Sequence, residues 1–143
     1  MNSALRTLLT FTMVSIATIG CGNGKLKYTT ATVDGTITYK GKPLESGQIQ
    51  FIPDSVPQQG RVPGKLAFSK IENGRYQIPT ERGATVGKNR VEIVSYRETG
   101  KESRVEDSIT KDTVQILPPK YNTDSTLSAD VKTGANTLDF DLE

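Results

Sequence analysis

The sequence predicts an all-β fold, an antiparallel β-sandwich of about seven strands, and three observations carry that prediction. Apolar residues recur at every second position in several short runs, the spacing of a strand with one face buried. Glycine, proline and asparagine punctuate those runs at the places where turns are needed. Beyond an apolar amino-terminal segment, no stretch keeps a sustained helical period.

Taken in order, "TVDGTITYKG" puts Val33, Ile37 and Tyr39 on one face. "KGKPL" supplies glycine and proline at a bend, and "GQIQFIP" continues with Ile49 and Phe51 inward. "PDSVPQQGRVPG" is a loop, because three prolines and two glycines cannot be held in a ladder interior. "KLAFSKI" offers Leu66 and Phe68 to the core. "ENGRYQIP" reads as a hairpin turning at Asn73-Gly74, with Tyr76 and Ile78 inward. "VGKNRVEIVSY" is the longest strand candidate and opposes Val91 and Ile93 to Arg90 and Glu92. "TVQILPP" gives Val114 and Ile116 before two prolines end the pairing. "STLSADVKTG" and "NTLDFDLE" close the chain, the latter alternating Leu138, Phe140 and Leu142 with Asp139, Asp141 and Glu143.

A chain of 143 residues is one domain by length, large enough to bury a core. Its net charge is only +2, and no basic stripe tracks a phosphate backbone, so nucleic acid is not an expected partner. There is no histidine, the commonest general base and metal ligand. The serines therefore lack a histidine partner within the chain, and no spacing points to a Ser-Lys pair. One cysteine, Cys21, cannot form an internal disulfide.

The position of that cysteine carries the expected address. After "MNSALR", the uncharged run "TLLTFTMVSIATIG" is too short for a comfortable bilayer span, which needs ~20 apolar residues. It fits the apolar core of an export signal, ending in the small Gly20 immediately before Cys21. An ordinary secreted chain with a free thiol, or a retained amino-terminal anchor, are the plainer alternatives. Thr18, Ile19, Gly20 and Cys21 resemble the closing residues of the bacterial lipoprotein signal, with Thr18 where leucine is usual. That resemblance implies cleavage between Gly20 and Cys21 and a diacylglycerol on the Cys21 sulfur. The expected organisation is then a signal over 1–20, a lipidated tether over 21–31 and a sandwich domain over 32–143. Gly22 after the cysteine, rather than aspartate, leans toward outer-membrane sorting if the cell has two membranes.

Several segments together carry a second resemblance. "VDGTITYKGKPLESGQIQFIP", "NGRYQIP", "GKNRVEIV", "LPPKYN" and "GANTLDFDL" are similar to the pattern of small bacterial lipoproteins with a transthyretin-like, or carboxypeptidase regulatory-like, domain. The resemblance covers nearly all of Val33 to Leu142. It implies a prealbumin-like (Ig-like) sandwich at the cell envelope, non-enzymatic, facing the periplasm or exterior, with a partner left unassigned. Related folds include a hydrolase of a uric-acid breakdown product that uses histidines and ends in a Tyr-Arg-Gly-Ser signature. This chain has no histidine and ends "DFDLE", so that activity is not expected.

The remaining candidates are interaction features, and no cofactor or metal is expected. "RETGKESRVEDSITKD" (97–112) is dense in both charges and reads as a solvated mobile loop, or as a partner-docking loop on a rigid scaffold. Tyr96, Arg97, Arg104 and Tyr121 are the candidate contact residues, Tyr96 just before this segment, Arg97 and Arg104 within it and Tyr121 in "LPPKYN". Tyr121 reads first as an architectural ring, and alternatively as an exposed platform for a sugar. Asp139, Asp141 and Glu143 read as the solvent side of the final strand, without the loop spacing of a calcium site. A Lys-Asn amide bond would need Lys40 or Lys42 beside Asn136 and Glu92. The expected function is a non-catalytic, lipid-anchored structural or protein-interaction module. The alternative is a binder of a small ligand or glycan through strand-end loops.

Overall fold

The computed structural model describes residues 27–57, 60, 62–105 and 108–143. Cys21 and the Gly20–Cys21 junction lie outside the described residues. The strands are β1 (Thr30–Tyr39), β2 (Lys42–Pro43), β3 (Ser46–Pro53), β4 (Ala67–Glu72), β5 (Arg75–Ile78) and β6 (Ala84–Thr85). They continue as β7 (Gly87–Val94), β8 (Tyr96–Val105), β9 (Ser108–Gln115), β10 (Ser128–Val131), β11 (Ala135–Thr137) and β12 (Phe140–Leu142). Single 3-10 turns occupy Thr80–Arg82 and Pro119–Tyr121. The fold is all-β and sandwich-like, a half-barrel whose main path runs through seven strands in the order β10-β7-β3-β4-β5-β1-β11. β2, β6 and β12 also pair with β1.

Alternation decides which residues face inward. β3 sits between β4 and β7 and opposes Ile49 to Ile93 and Phe51 to Val91, all fully buried. Each such side chain contributes roughly 1.5–3 kcal/mol by leaving water. Phe51 also meets Tyr76 and Phe140, with ring centroids 6.1 and 6.4 Å away. The hairpin turn falls at Asn73-Gly74, both at positive φ (49° and 75°), as a tight turn matched to strand twist requires. Tyr76 and Ile78 are buried beyond it, as their alternation predicts.

β4 departs from the sequence reading. Leu66 (47% exposed) and Phe68 face outward, while Ala67 and Ile71 are buried. The register explains this: Ala67 pairs with Phe51, and a methyl is what fits opposite the central ring. The domain also begins earlier than residue 32. Thr30 and Ala31 already pair with Thr85 and Ala84, and Ala31 is buried. β7 is not the longest strand; β1 and β8, at ten residues each, exceed its eight.

Not every pairing is antiparallel. β11 and β12 both run parallel to β1, Val33 opposite Asn136 and Ile37 opposite Phe140. Between them the chain crosses over Gly35, where a Cβ would lie 2.0 Å from the Leu138 carbonyl oxygen. Glycine at 35 is thus required by close backbone approach.

Candidate functional site

The segment over 97–112 is a two-stranded hairpin, β8 with β9, and the expectation of a mobile loop is corrected. It forms because Thr99, Thr110, Thr113, Ile109 and Val114 favour extended backbone, while alternation is hidden because neither face is covered. A shift of register between Glu98 and Glu102 marks a bulge, with Gly100 at φ 77°. Every β8 residue from Tyr96 to Arg104 is exposed, and Ile109 on β9 is 62% exposed. Lys111 pairs with Glu98 at 3.0 Å across one face, and Ser103 Oγ donates to Asp112 Oδ1 at 2.6 Å on the other.

The hairpin is fastened at its base. Gln115 Oε1 accepts hydrogen bonds from Ser95 N (3.0 Å) and Leu117 N (3.2 Å). Ser95, itself buried, donates from Oγ to the Ser46 carbonyl at 2.6 Å, and Ile116 N donates to Ser95 O. An amide side chain thus ties the two arms where β7 turns into β8. The sequence reading passed over Gln115, and its position between a β-branched run and Ile116-Leu117-Pro118 was the available signal.

Of the candidate contact residues, Tyr96 and Arg97 lie together at this base, opposite Gln115 and Val114. Arg104 lies toward the far end, opposite Ile109. Tyr121 does not join them. It is only 7% exposed, and its hydroxyl donates to Glu143 O (2.9 Å) and accepts from Glu143 N (2.8 Å). Its ring therefore offers no open platform for a sugar, and its role is to hold the final strand. Asn136 and the lysines are likewise apart. Its Nδ2 donates to Thr32 O and Lys132 O at the start of β1, whereas Lys40 follows the end of that ten-residue strand. Glu92 pairs instead with Arg90.

A second feature was not foreseen. β4 and β5 keep one ladder pair, Glu72 with Arg75, beyond which the Ser69 hydroxyl donates to Gln77 O at 2.8 Å. On the outer face by this divergence lies an open groove of about 990 Å³. Lys70 and Arg75 stand on one side, Asp34 and Asp139 on the other. Asp139 Oδ1 accepts from both Thr36 N and Thr36 Oγ1 at 2.7 Å. Those bonds, the hydroxyl's first, hold the Asp139 carboxyl below the ordinary aspartate value. Beneath it the Tyr76 hydroxyl donates to Leu138 O at 2.7 Å. Burial, aided by the Asp139 and Asp34 charges, pushes the Tyr76 phenol well above the usual tyrosine range. Tyr76 is therefore a neutral structural donor. Asp141 is engaged similarly by Thr38 Oγ1, so the acidic side of the last strand is written into β1 threonines. Among the described residues, no three or more acidic or cysteine side chains gather as a metal ligand set.

No family model, curated protein or solved structure matches this chain.

Proposed function

We propose that this chain is a non-catalytic, lipid-anchored module of the cell envelope that faces the periplasm or exterior and displays β8–β9 as a docking arm for a protein partner. The observation that carries this reading is the hairpin itself: long, exposed on both faces, and tied to a rigid body only at its base. An isolated two-stranded ribbon is marginal in water at best, so a partner's surface would add the packing that it lacks. Tyr96, Arg97 and Arg104 supply an aromatic and two guanidinium groups, the residue types that most often anchor interfaces. The lipid anchor rests on the sequence around Cys21, where at least two acyl chains give lasting attachment.

Two measurements test the reading. Wild type should enter a detergent phase with a diacylated Cys21 at its amino terminus, and Cys21→Ser should not. A photo-crosslinking residue at Arg104 or Ile109 should give an adduct of one defined mass in the native envelope, and one at Gln50 on the sheet face none. Equal adducts from both surfaces would remove the docking role.

The groove favours a second reading, a binder of a small polar ligand. Its opposed charges suit a ligand carrying both signs more than a glycan, since no exposed aromatic ring lines it. Perturbation of Thr36 and Gln77 amide resonances by such a ligand, with the hairpin resonances unmoved, would favour this reading over the first.

A further inference from the structure

The amino-terminal end of the body gathers apolar side chains that the core does not use. Thr29 O accepts from Val86 N, and Thr30 pairs with Thr85. Thr85 Oγ1 in turn accepts from Lys65 N (3.1 Å) and donates to Lys65 O (3.2 Å). Ser55 Oγ donates to Pro63 O, fastening the two sides of the 54–66 loop to one another. Immediately beside these contacts stand Tyr28, Val56, Val62 and Leu66, all exposed, Val56 at 82%. Cations outnumber acids in the segments that make these contacts: Lys27, Lys65, Arg82 and Lys88 against Asp54 and Glu81, with Lys88 paired to Asp54 at 3.5 Å.

We infer that this end of the sandwich rests on a lipid surface, with Tyr28, Val56, Val62 and Leu66 in the headgroup region. The inference rests on the lipid-anchor reading above and adds an orientation to it. Six residues separate Cys21 from Tyr28, and the seven steps of a fully extended chain between them reach at most about 25 Å. An acylated Cys21 therefore keeps Tyr28 within that reach of the bilayer, and the apolar, cationic character of this end favours its contact with lipid. Isolated tyrosine, valine and leucine side chains flanked by lysine and arginine suit the boundary between headgroups and acyl chains, and the excess of cations suits anionic lipid. β7 then sets the far end. It starts at Gly87 beside the patch, and eight residues of strand put Ser95 and the hairpin base about 26 Å away. The base of the arm is thereby held on the membrane-distal side of the body.

The chain has no tryptophan, so one introduced residue reports alone. The full acylated chain is placed in phosphatidylglycerol–phosphatidylethanolamine vesicles with or without brominated acyl chains, as Val62→Trp, Leu66→Trp and Ile109→Trp, with the Cys21 acyl state read by mass. Val62→Trp and Leu66→Trp should lose much of their emission to bromine and shift blue, while Ile109→Trp should do neither. Acylated chains in which positions 62 and 66 are quenched no more than 109 would overturn the orientation and leave the anchor standing. A chain without acyl groups that stays aqueous would overturn the anchor reading and this inference with it. A blue shift that follows protein concentration and ignores bromine would assign the patch to a second copy of the chain, and also overturn it. All three side chains are exposed, so the substitutions leave the core intact.

Discussion

β3 and β9 are each eight residues long and each pairs antiparallel, yet they hold their shape by different means. β3 has neighbours on both edges and sinks Ile49 and Phe51 completely. β9 has one neighbour, leaves Ile109 and Val114 exposed, and relies on cross-strand polar contacts and the Gln115 clasp. The comparison teaches that strand geometry needs only backbone pairing and extended-chain propensity, whereas stability needs a buried face. In this chain the two are separated: β3 belongs to the scaffold, and β9 offers surface.

Four changes would sharpen or break that contrast. Phe51→Ala should have the largest effect, about 4 kcal/mol of unfolding free energy, because the ring fills the space between Tyr76 and Phe140. It is read as a lower urea midpoint at unchanged slope. Gly35→Ala should cost about 3 kcal/mol, since its Cβ cannot coexist with the Leu138 carbonyl and the β11–β12 link must lift from β1. Loss of protection at the Leu138 amide, which donates to Asp34 O, would locate the damage. If both substitutions were tolerated, the body would be no more specified than the hairpin.

Gln115→Ala should cost the whole protein only about 1 kcal/mol, but it should open the hairpin first. Faster amide exchange at Ser95 and Leu117, ahead of any change in β3, is the expected pattern. Exchange rising equally in both would mean that the hairpin is part of the cooperative body. The smallest effect concerns Asp139. Its folded carboxyl titrates below the unfolded value, so its contribution is present above the unfolded value and is lost as pH falls through the folded one. Thr36→Val removes the hydroxyl donor and should raise that titration toward the ordinary aspartate range in carbon-detected NMR, flattening the acid limb of stability. An unmoved titration would show that the Thr36 amide alone sets it.

Much of the body was legible because its longer strands have one wet and one dry face. Val33, Ile37, Ile49, Phe51, Tyr76, Ile78, Val91 and Ile93 all lie where period-two alternation puts them. The same rule fails where its premise fails. In 97–112 neither face is dry, so charge density concealed a ribbon behind the look of a loop. On β4 both faces carry apolar residues, and only the opposing Phe51 selects Ala67 over Phe68. The groove was hidden for a similar reason, since Asp34, Arg75 and Asp139 meet only once β5 and the β11–β12 link flank β1.

By itself, then, the sequence determined the all-β class, the Asn73-Gly74 turn, most of the buried set and the absence of histidine chemistry, because these depend on local patterning and composition. Which strand lies beside which, the parallel return of β11 and β12 onto β1, the burial of Tyr121 under Glu143 and the placement of hairpin and amino terminus at opposite ends of β7 were decided by tertiary structure. Each of these depends on groups that lie far apart along the chain, and a pairing of that kind leaves no mark in the spacing of neighbouring residues.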